Sequence, residues 1–370
     1  MKAVRIVFVG GFLGAGKTTL LWAAAERLAK RGLRVGLVTN DQASELVDTA
    51  WLSQKGLKVA EVSGSCFCCN FDGLLAALRK VGGEADADVI VAEPVGSCTD
   101  LSATIMQPLK QDWGRELSVA PLSVLADPGR LASILDGGRA GLHADAAYIF
   151  RKQLEEADII LLAKADKLSQ GEAQSLLGRT RAAFPLARVS PVSAATGAGV
   201  DAWLDQALGG HSPAGAHIAE VDYDLYAHGE AVLGWLNGTV ELKGGDGDWN
   251  AFSRRLLEAL ARRLDEAGYA VGHVKTLLER EGGDGLQVAG NLTGKGDTLS
   301  LRGDAGSGGT AKLTVNARVE TSPEKLDALV REALQECRAG GFDGEVKAWR
   351  CLQPGRPNPT HRFTQVVAAP

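Results

Sequence analysis

The stretch Gly11–Thr19, which reads GFLGAGKTT, is the feature that most constrains the fold of this 370-residue chain. It follows Val4–Val9, an apolar run typical of a buried strand, and leads into Thr18–Arg31, whose pattern is typical of an amphipathic helix. The stretch matches G-x-x-x-x-G-K-[ST] in the strand-to-helix context that this motif requires. The sequence therefore predicts a strand, a phosphate-binding loop and a helix in this order.

Each residue type in the loop has a predicted role toward phosphate. The small residues allow backbone N–H groups to approach the phosphates, and the helix N-terminus adds its positive end. Lys17 is predicted to reach the β- and γ-phosphates, and the Thr18 hydroxyl is predicted to ligate Mg²⁺. The predicted nucleotide contacts of the loop are Gly11, Gly14, Ala15, Gly16, Lys17, Thr18 and Thr19.

Further apolar runs alternate with helical patterns up to about residue 210. The runs are Val35–Thr39, Lys58–Val62, Val89–Ala92, Leu117–Leu125, Ile159–Ala163 and Arg188–Val192. Their near-continuous apolar character indicates strands buried on both faces of a parallel sheet. We therefore expect an α/β domain over 1–210, a doubly wound, mostly parallel sheet with its ligands at the carboxyl ends of the strands.

The pattern changes after residue 210. Residues 211–220 carry Ser, Pro, Gly and Ala without periodicity, which predicts a linker. Residues 221–370 predict a smaller α+β domain, split-βαβ-like with an extra strand, followed by an extended tail. Its expected strands are Ala231–Lys243, Ala270–Leu278, Leu286–Thr293, Lys312–Val319 and Val346–Leu352; its expected helices are Trp249–Ala267, capped by Asp248, and Ser322–Ala339. A Gly-rich loop is expected before the strand Lys312–Val319.

Composition and charge exclude several kinds of partner. A net charge of −5 argues against nucleic acid or an anionic membrane as the main partner. The apolar run Ile6–Val9 leads into the phosphate loop rather than into a cleavage site, and no window approaches a membrane-spanning helix. We therefore expect a cytoplasmic protein whose thiols stay reduced.

Three cysteines, Cys66, Cys68 and Cys69, crowd into four positions after the third predicted strand. In an extended segment Cys66 and Cys68 point to the same side, and a turn at Cys69 brings in a third thiolate. Thiolates suit Zn²⁺ and other borderline or soft ions, and a free fourth position suits transfer of the metal. Small buried hydrophobes or a redox dithiol are the alternatives. The isolated Cys98, Cys337 and Cys351 are interpreted as inert core residues.

Polar residues at two other strand ends are candidates for Mg²⁺ and phosphate. Glu93 follows the strand Val89–Ala92, where it is placed to contact the Mg²⁺ shell, and the Gly96 N–H is placed to sense a γ-phosphate. Asn40-Asp41-Gln42 is interpreted as a switch segment in which Asp41 has the Mg²⁺-linked role. For Gln42, Glu45 and Asp48 a solvated helix face stays open. The candidate catalytic residues are Lys17, Asp41 and Glu93, and the candidate Mg²⁺ ligands are Thr18, Asp41 and Glu93.

The segment Ala163–Asp166, which reads AKAD, ends a predicted buried strand where GTPases carry Asn-Lys-x-Asp. The Asp166 carboxylate can accept hydrogen bonds from guanine N1–H and the exocyclic amine, and the stem of Lys164 can cover the base. Ser193 and Ala194 follow the next predicted strand in a second loop of this kind. Ala163 has no side-chain amide, so a relaxed guanine preference stays open.

Together these motifs resemble the CobW-type P-loop GTPases, the metallochaperone branch beside the hydrogenase and urease maturation GTPases. Besides the phosphate loop and the cysteine motif, the resemblance rests on Glu93–Gly96, Val192–Leu204 and Val271–Lys275. It implies GTP or GDP with Mg²⁺, and GTP-dependent delivery of a transition metal, or of a metal-containing cofactor, to a client metalloenzyme or cofactor-pathway protein. Zinc is the first choice, with cobalt, iron and nickel as alternatives. The sequence departs from the family pattern at Ser65, where Gly is usual, and at Ala163, and it has no His-rich loop.

Other functions fit parts of the pattern. A small-molecule kinase also uses a phosphate loop, but it predicts an acceptor pocket with a catalytic Asp and leaves the cysteines unexplained. A redox or regulatory nucleotide-binding protein would use the cysteines as oxidation sensors. The tail Pro354–Arg362 fits either an arm over the C-terminal domain or a client-docking segment. The sequence leaves the oligomeric state open.

Overall fold

The structure is a computed structural model that describes residues 3–40, 58–62, 64–84, 86–210, 213–282, 285–294, 299–338 and 341–368. These residues divide into two units. The first unit holds the described residues up to 229 and also residues 356–368, and the second holds the described residues within 230–355. The domain limits predicted from the sequence stay predictions.

The first unit is built on a sheet whose strands come from the predicted apolar runs. The strands are β1 (Val4–Gly11), β2 (Val35–Asn40), β3 (Lys58–Val62), β4 (Val89–Glu93), β5 (Leu117–Val119), β6 (Ser123–Ala126), β7 (Ile159–Leu162) and β8 (Arg188–Pro191). Their order is β3-β2-β4-β1-β6-β7-β8, with β5 also paired to β1. Every pairing among these described strands is parallel. The predicted α/β class with a parallel sheet is confirmed.

The prediction of a single strand over Leu117–Leu125 is wrong. β5 pairs with Val4–Ile6 at the start of β1, whereas β6 pairs with Val9–Gly11 at its end. Pro121 lies between the two short strands, and a proline has no backbone N–H to donate to a ladder. The apolar run continues through this break, so hydrophobicity alone did not reveal it.

Helices lie between most of the successive described strands of the first unit, as the crossover connections of a parallel sheet require. They are α1 (Lys17–Lys30), α2 (Phe71–Glu84), α3 (Gln107–Trp113), α4 (Pro128–Leu135), α5 (Ala144–Glu155), α6 (Gln170–Ala183), α7 (Val200–Leu208) and α8 (Tyr223–Ala231). A π-helical turn, Ser102–Met106, leads into α3. Because the strands are parallel, the loops at their carboxyl ends open at one edge of the sheet, and the candidate site residues lie on these loops.

The second unit is an antiparallel sheet with two helices. Its strands are β9 (Gly234–Lys243), β10 (Val271–Arg280), β11 (Gln287–Leu292), β12 (Ser300–Asp304), β13 (Thr310–Val319) and β14 (Asp343–Leu352), and its helices are α9 (Trp249–Glu266) and α10 (Pro323–Arg338). The strand order is β12-β11-β10-β13-β9-β14. β9-α9-β10 and β13-α10-β14 interleave as two split βαβ units, which confirms the predicted arrangement.

The sequence prediction placed a Gly-rich loop where the structure has β12. This strand lies at the edge of the sheet and pairs with β11. Four of its five residues are exposed, so it has no apolar alternation to detect. The described residues of the second unit therefore include two strands, β11 and β12, beyond the split βαβ core, where the sequence predicted one.

The helix α9 begins at the predicted cap. The Asp248 carboxylate accepts hydrogen bonds from the Asn250 and Ala251 N–H groups at 2.8 and 3.0 Å. Trp249 then packs against Phe342 with a ring-centroid distance of 5.1 Å, inside the core between the helices and the sheet. No helix in the described part of the chain is both long and apolar enough to cross a membrane.

Candidate functional site

Glycine backbone geometry shapes the loop between β1 and α1. Gly11 has a φ of 129°, and a Cβ there would lie 2.4 Å from the Leu125 carbonyl oxygen, so only glycine fits. Gly16 has a φ of 99° immediately before α1, and a Cβ there would meet nothing within 4 Å. The loop therefore turns tightly against β6, and there is open space beside Gly16 at the positive end of α1, where an anion can bind.

Lys17 and Thr18, at the start of α1, face Glu93 at the end of β4. Thr18 Oγ1 donates a hydrogen bond to Glu93 Oε2 at 3.1 Å, and Lys17 Nζ lies 3.8 Å from Glu93 Oε1. Lys17 Nζ also donates to the Gly11 carbonyl at 2.8 Å. All three side chains are buried. A cation, a hydroxyl and a carboxylate in contact are the chemistry that phosphate oxygens and Mg²⁺ need, so these residues fit both groups.

Gly96 lies directly against the phosphate loop. A Cβ at Gly96 would lie 2.7 Å from Leu13 Cδ2 and 2.9 Å from Lys17 Nζ, so its backbone touches the end of the lysine. The Gly96 carbonyl accepts a hydrogen bond from Gln153 Nε2 at 3.0 Å, which holds the loop from α5. The structure thus brings Gly96 and Lys17 together, as contact with one phosphate would require.

The loop that continues from Gly96 into the π-helical turn is hydrogen-bonded to a buried carboxyl group, that of Glu156. Glu156 accepts hydrogen bonds from Thr99 Oγ1 at 2.9 Å and from the Ser102 N–H at 3.0 Å. The Thr99 N–H donates to the Tyr226 hydroxyl at 3.2 Å. Burial raises the pKa of Glu156 to about 8, so most of this group is protonated at neutral pH. The sequence patterns gave no signal for Glu156.

The loops after β7 and β8 meet at one corner of the sheet edge. The Ala165 N–H donates to the Val192 carbonyl at 3.2 Å and so joins the two predicted base-reading loops. Asp166 is exposed, whereas Ser193 is fully buried and its Oγ accepts a hydrogen bond from the Thr196 N–H at 3.1 Å. The exposed carboxylate of Asp166 therefore lies beside the loop after β8, which internal hydrogen bonds hold in place.

Asp127 belongs to this corner, although the sequence analysis did not single it out. Lys164 Nζ donates a hydrogen bond to Asp127 Oδ2 at 2.9 Å. Ala194, which lies in the adjacent loop after β8, is half-buried. Burial opposes the charge of Asp127, but Lys164 outweighs it and keeps the pKa of Asp127 below its ordinary value. Asp127 also caps α4, which begins with Pro128. An Asp-Pro pair after an apolar run signals such a cap in the sequence.

The three predicted metal-binding cysteines converge in the loop after β3. Their sulfur atoms are separated by 3.0 Å (Cys66–Cys68), 3.1 Å (Cys66–Cys69) and 3.8 Å (Cys68–Cys69). Cys66 and Cys68 are buried and Cys69 is half-buried. All three ligand atoms lie within 4.8 Å of one another, so they can share one metal ion.

Asn40, at the end of β2, holds the cysteine loop in place. Its Nδ2 donates to the carbonyls of Val62 and Ser65, each at 2.8 Å, and its Oδ1 accepts from the Phe67 N–H at 2.9 Å. One amide thus fixes both ends of the turn that enters the cluster. Asn40 is part of the predicted switch segment, and its positioning role has no signal in the local sequence.

The clustered thiols do not ionise alike. Hydrogen bonds with the thiols of Cys68, Cys69 and Cys98 hold the pKa of Cys66 well below its usual range. The hydrogen bond with Cys66 raises the pKa of Cys68 well above its usual range and that of Cys69 to about 11. Cys66 is therefore the first of the three thiols to ionise, and binding of a metal by all three sulfurs must release the protons that they still hold.

Two parts of the chain that the sequence analysis did not connect with the cysteines also reach them. Cys98, interpreted above as an inert core residue, is buried, but its thiol hydrogen-bonds to Cys66. The Asn358 N–H donates to Cys69 Sγ at 3.2 Å. Residues 356–368 belong to the first unit, so the interpretation of the tail as an arm over the C-terminal domain is wrong. Contacts this distant in the sequence leave no local pattern.

Asp41 lies outside the described residues, as do Gln42, Glu45 and Asp48. The predicted Mg²⁺-linked role of Asp41 therefore stays a prediction.

A second group of side chains suited to metal binding comes from the start of α5 and from α8. His228 Nδ1 hydrogen-bonds to Asp145, and His143 Nδ1 lies 3.6 Å from Asp145 Oδ2. His143 already caps α5 by accepting from the Asp145 N–H at 3.3 Å. The His228 side chain is 61% exposed, so this group is a surface feature that any metal titration has to separate from the cysteines.

Comparison with known proteins identifies relatives for about half of the chain. Zinc chaperone YjiA of Escherichia coli strain K12 is 26% identical over 199 residues, which are 51% of this chain and 58% of YjiA. Zinc chaperone YeiR of the same organism is 27% identical over 176 residues, which are 46% of this chain and 50% of YeiR. The chain thus spans about half the length of the curated relatives it matches.

Solved structures give weaker matches, and a family model gives the assignment. Zn(II)-bound YjiA GTPase from E. coli matches 91% of this chain and all of its own at 18% identity and a TM-score of 0.37. HypB from Helicobacter pylori in complex with nickel matches 57% of this chain and 90% of its own at 16% identity and a TM-score of 0.40. The family model "CobW/HypB/UreG, nucleotide-binding domain" matches residues 5–190, half of the chain, and the protein therefore belongs to the CobW/HypB/UreG family.

Proposed function

We propose that this protein is a GTP-hydrolysing metallochaperone that holds a transition metal, with zinc as the first choice, and delivers it to a client metalloenzyme. Delivery of a metal-containing cofactor is the variant of the same proposal. One observation carries it: the sulfurs of Cys66, Cys68 and Cys69 lie within 4.8 Å of one another, and they follow β3 in the sheet whose β1 and β4 lead to Lys17 and Glu93. The description of two curated relatives as zinc chaperones supports the choice of metal.

The nucleotide would bind across the phosphate loop. Backbone N–H groups of the loop would face the phosphates, Lys17 would contact the β- and γ-phosphates, and Gly96 would approach the γ-phosphate from the other side. Thr18 and Glu93 would hold Mg²⁺, which neutralises charge on the phosphates when it is bound. The proposed loop contacts are Gly11, Gly14, Ala15, Gly16 and Thr19.

The base would bind at the corner formed by the loops after β7 and β8. Asp166 is the proposed acceptor for the guanine N1–H and amine, and Ser193 and Ala194 line the adjacent loop. The ion pair with Asp127 at 2.9 Å fixes Lys164, so that its aliphatic stem can lie along the base. The exposure of Asp166 is consistent with an acceptor that meets its ligand from solvent.

The transition metal would bind to the three thiolates, with one coordination position left for water or a client ligand. A four-coordinate ion such as Zn²⁺ held by three protein ligands can exchange through its fourth position, which a closed structural site does not allow. Reduced thiols are needed for this chemistry, which supports the proposal that the protein works in the cytoplasm. We propose no nucleic acid or membrane partner.

The test combines metal titration with a nucleotide panel. Protein purified without oxygen is titrated with Zn²⁺ against a chromophoric competitor, and nucleotide binding and hydrolysis are measured with GTP and ATP. We expect one tight zinc site that Cys66→Ser, Cys68→Ser and Cys69→Ser each weaken strongly, and hydrolysis of GTP in preference to ATP. His228→Ala is the matched control, because it removes a surface donor and should leave the tight site intact. Equal zinc affinity in the wild type and all three cysteine variants would refute the metal site.

A redox role is the second candidate, because the Cys66 and Cys68 sulfurs are 3.0 Å apart. Oxidation of this pair would form a disulfide and remove two metal ligands. Under this alternative the protein purified without oxygen contains no metal, and a mild oxidant changes nucleotide binding. Stoichiometric metal in that preparation favours the chaperone instead.

A further inference from the structure

Cys98 lies on the loop that links the candidate phosphate sensor to the π-helical turn. The residue is 2% exposed, and its backbone is fixed on both sides. Its N–H donates to the Val95 carbonyl at 2.9 Å, and its carbonyl accepts from Gln153 Nε2 at 2.8 Å. Its thiol hydrogen-bonds to the sulfur of Cys66 and acts electrostatically on Cys68. A fourth thiol therefore borders the cluster from a different strand of the sheet.

We propose that Cys98 is a fourth thiolate ligand of the metal, approaching from the side of Cys66. This inference rests on the proposed function and deepens it. Cys66, Cys68 and Cys69 come from one turn, and a tetrahedral ion that they bind has one further position, which a donor from outside that turn can occupy. The loop after β4 supplies a buried sulfur there. Each thiol that ligates the metal loses its proton to solvent, so no oxidant or reductant is required.

The consequence is that one loop serves two sites. Gly96, which touches Lys17, and Cys98, which touches Cys66, are two residues apart. With Cys98 bound, the metal has four sulfur ligands, as in a closed site. With Cys98 withdrawn, three remain and the fourth position is open to a client ligand. A change at the phosphates that moves this loop would therefore convert a retained metal into a transferable one.

The experiment counts the sulfur ligands in the full-length protein. Co²⁺ is loaded without oxygen, and the thiolate-to-cobalt charge-transfer absorption and the zinc affinity are measured for wild type, Cys98→Ser and Cys98→Ala. We expect the absorption to fall from that of four thiolates to that of three. Since outer-shell changes already cost about 10- to 100-fold in metal affinity, loss of a direct ligand should cost at least about tenfold. Cys337→Ser, a buried cysteine of the second unit, is the matched control.

The outcomes separate this inference from the proposed function. If Cys66→Ser abolishes the tight site while Cys98→Ser and Cys98→Ala keep the wild-type absorption and affinity, Cys98 is not a ligand and the three-cysteine site stands. If the wild type shows no thiolate absorption at all, the metal site itself is refuted. Thermal unfolding of the metal-free variants shows whether they fold, and either of the two small replacements suffices.

Residues 356–368 form a segment of the first unit that we call the strap. The strap runs along the first unit through backbone hydrogen bonds. Besides the contact of Asn358 with Cys69, the Thr360 N–H donates to the Cys68 carbonyl at 2.9 Å, and the Phe363 N–H donates to the Ala103 carbonyl at 3.0 Å. The His361 ring packs edge-on against Phe71, with centroids 4.8 Å apart. The strap therefore covers the turn that carries the cluster.

An ion pair anchors the strap to the loop after β4. Arg362 Nε donates to Asp100 Oδ2 at 2.7 Å, and Asp100 is 1% exposed. The Tyr223 hydroxyl donates to the same oxygen at 2.7 Å. Asp100 is two residues beyond Cys98, so the strap and the proposed fourth ligand share one anchoring loop.

We propose that the strap retains the metal by closing over Cys68 and Cys69, and that the metal enters and leaves when residues 358–360 lift. The Asn358 N–H stabilises the Cys69 sulfur directly, because a thiolate accepts hydrogen bonds. Retention then depends on a backbone donor and not on the side chain of Asn358.

Asn358→Pro removes this N–H, and Asn358→Ala keeps it, so the two form a matched pair. We expect zinc to dissociate roughly tenfold faster from Asn358→Pro, as loss of a hydrogen bond to a charged acceptor predicts, and at the wild-type rate from Asn358→Ala. Hydrogen exchange of the strap in the metal-free protein is the second measurement. We expect slow exchange in the wild type and faster exchange in Arg362→Ala, with Arg362→Lys between them.

Two results would refute the proposal that the strap retains the metal. One is an equal zinc dissociation rate in Asn358→Pro and Asn358→Ala. The other is fast exchange of the wild-type strap without metal, because a segment that is already open cannot retain an ion. Neither result touches the cysteine titration that tests the proposed function.

Discussion

The phosphate loop and the cluster of Cys66, Cys68 and Cys69 belong to one sheet, but they are built differently. The phosphate loop takes its shape from consecutive residues, with Gly11 and Gly16 in left-handed or otherwise glycine-favoured conformations. The cluster is assembled from Asn40 on β2, the turn after β3, Cys98 after β4 and the strap. A site made by local backbone geometry can be recognised in a sequence. For a site assembled from distant segments, the sequence reveals only the residues that lie close together in the chain, here Cys66, Cys68 and Cys69.

The largest expected effect concerns the local site. Lys17→Ala removes the buried ammonium group beside Glu93 and should weaken GTP binding by several kcal/mol, because it deletes a charge facing the β- and γ-phosphates. Zinc affinity without nucleotide should stay unchanged. Calorimetry with GTP and zinc competition measure both quantities, and Lys30→Ala, an exposed lysine on the same helix, is the control. Near-normal GTP binding by Lys17→Ala would refute the phosphate-loop assignment.

The same contrast explains how much the sequence could predict. The α/β class, the loop Gly11–Thr19 and the three clustered cysteines follow from local patterns, and the fold and the sulfur distances agree with them. Asp127, Glu156 and Cys98 were missed or misinterpreted because their partners lie far away in the sequence. A single cysteine or carboxyl group has no periodicity that reveals such a partner.

The base-reading corner is intermediate between a site made by consecutive residues and a site assembled from distant segments, because the two loops after β7 and β8 form it. Asp166→Asn should lower GTP affinity by about 1.5–3 kcal/mol, the value of hydrogen bonds to a charged acceptor. It should also raise the affinity for XTP, whose C2 carbonyl can accept from the amide. Competition binding with GTP, XTP and ATP measures the change, and the exposed Asp136→Asn is the control. Wild-type protein that binds ATP as tightly as GTP would show that Asp166 does not select the base.

The next prediction tests whether the two regions communicate. If the loop after β4 serves both, GTP and metal binding must influence each other by the same factor. Coupling of about 1–3 kcal/mol corresponds to roughly a 5- to 150-fold change in zinc affinity between GDP and a non-hydrolysable GTP analogue. Zinc competition in both nucleotide states measures it, and Cys98→Ser should abolish the difference. Equal affinities in the wild type would leave a metal-binding GTPase without a switch.

The smallest expected effect tests the carboxyl group beneath that loop. The folded pKa of Glu156, about 8, lies above its ordinary value of 4.5, so the folded state holds this proton more tightly. The stabilisation is complete below the unfolded pKa and is lost as the pH rises through about 8. Glu156→Gln imitates the protonated form, because its amide oxygen can accept from the Ser102 N–H while its NH₂ group donates to Thr99. Between pH 6.5 and 8 the wild type should therefore lose about 1–2 kcal/mol of unfolding free energy relative to this variant.

Urea unfolding at the two pH values measures this difference, with Glu155→Gln as the control at a more exposed neighbouring position. Other groups that titrate in this range contribute equally to the wild type and to Glu156→Gln, so the difference between the two proteins isolates Glu156. Parallel loss of stability in both would mean that the carboxyl group is already ionised in the folded protein. The loop after β4, which joins the phosphate loop to the cysteine cluster, would then be hydrogen-bonded to a buried carboxylate. Raising the pH would not weaken its attachment.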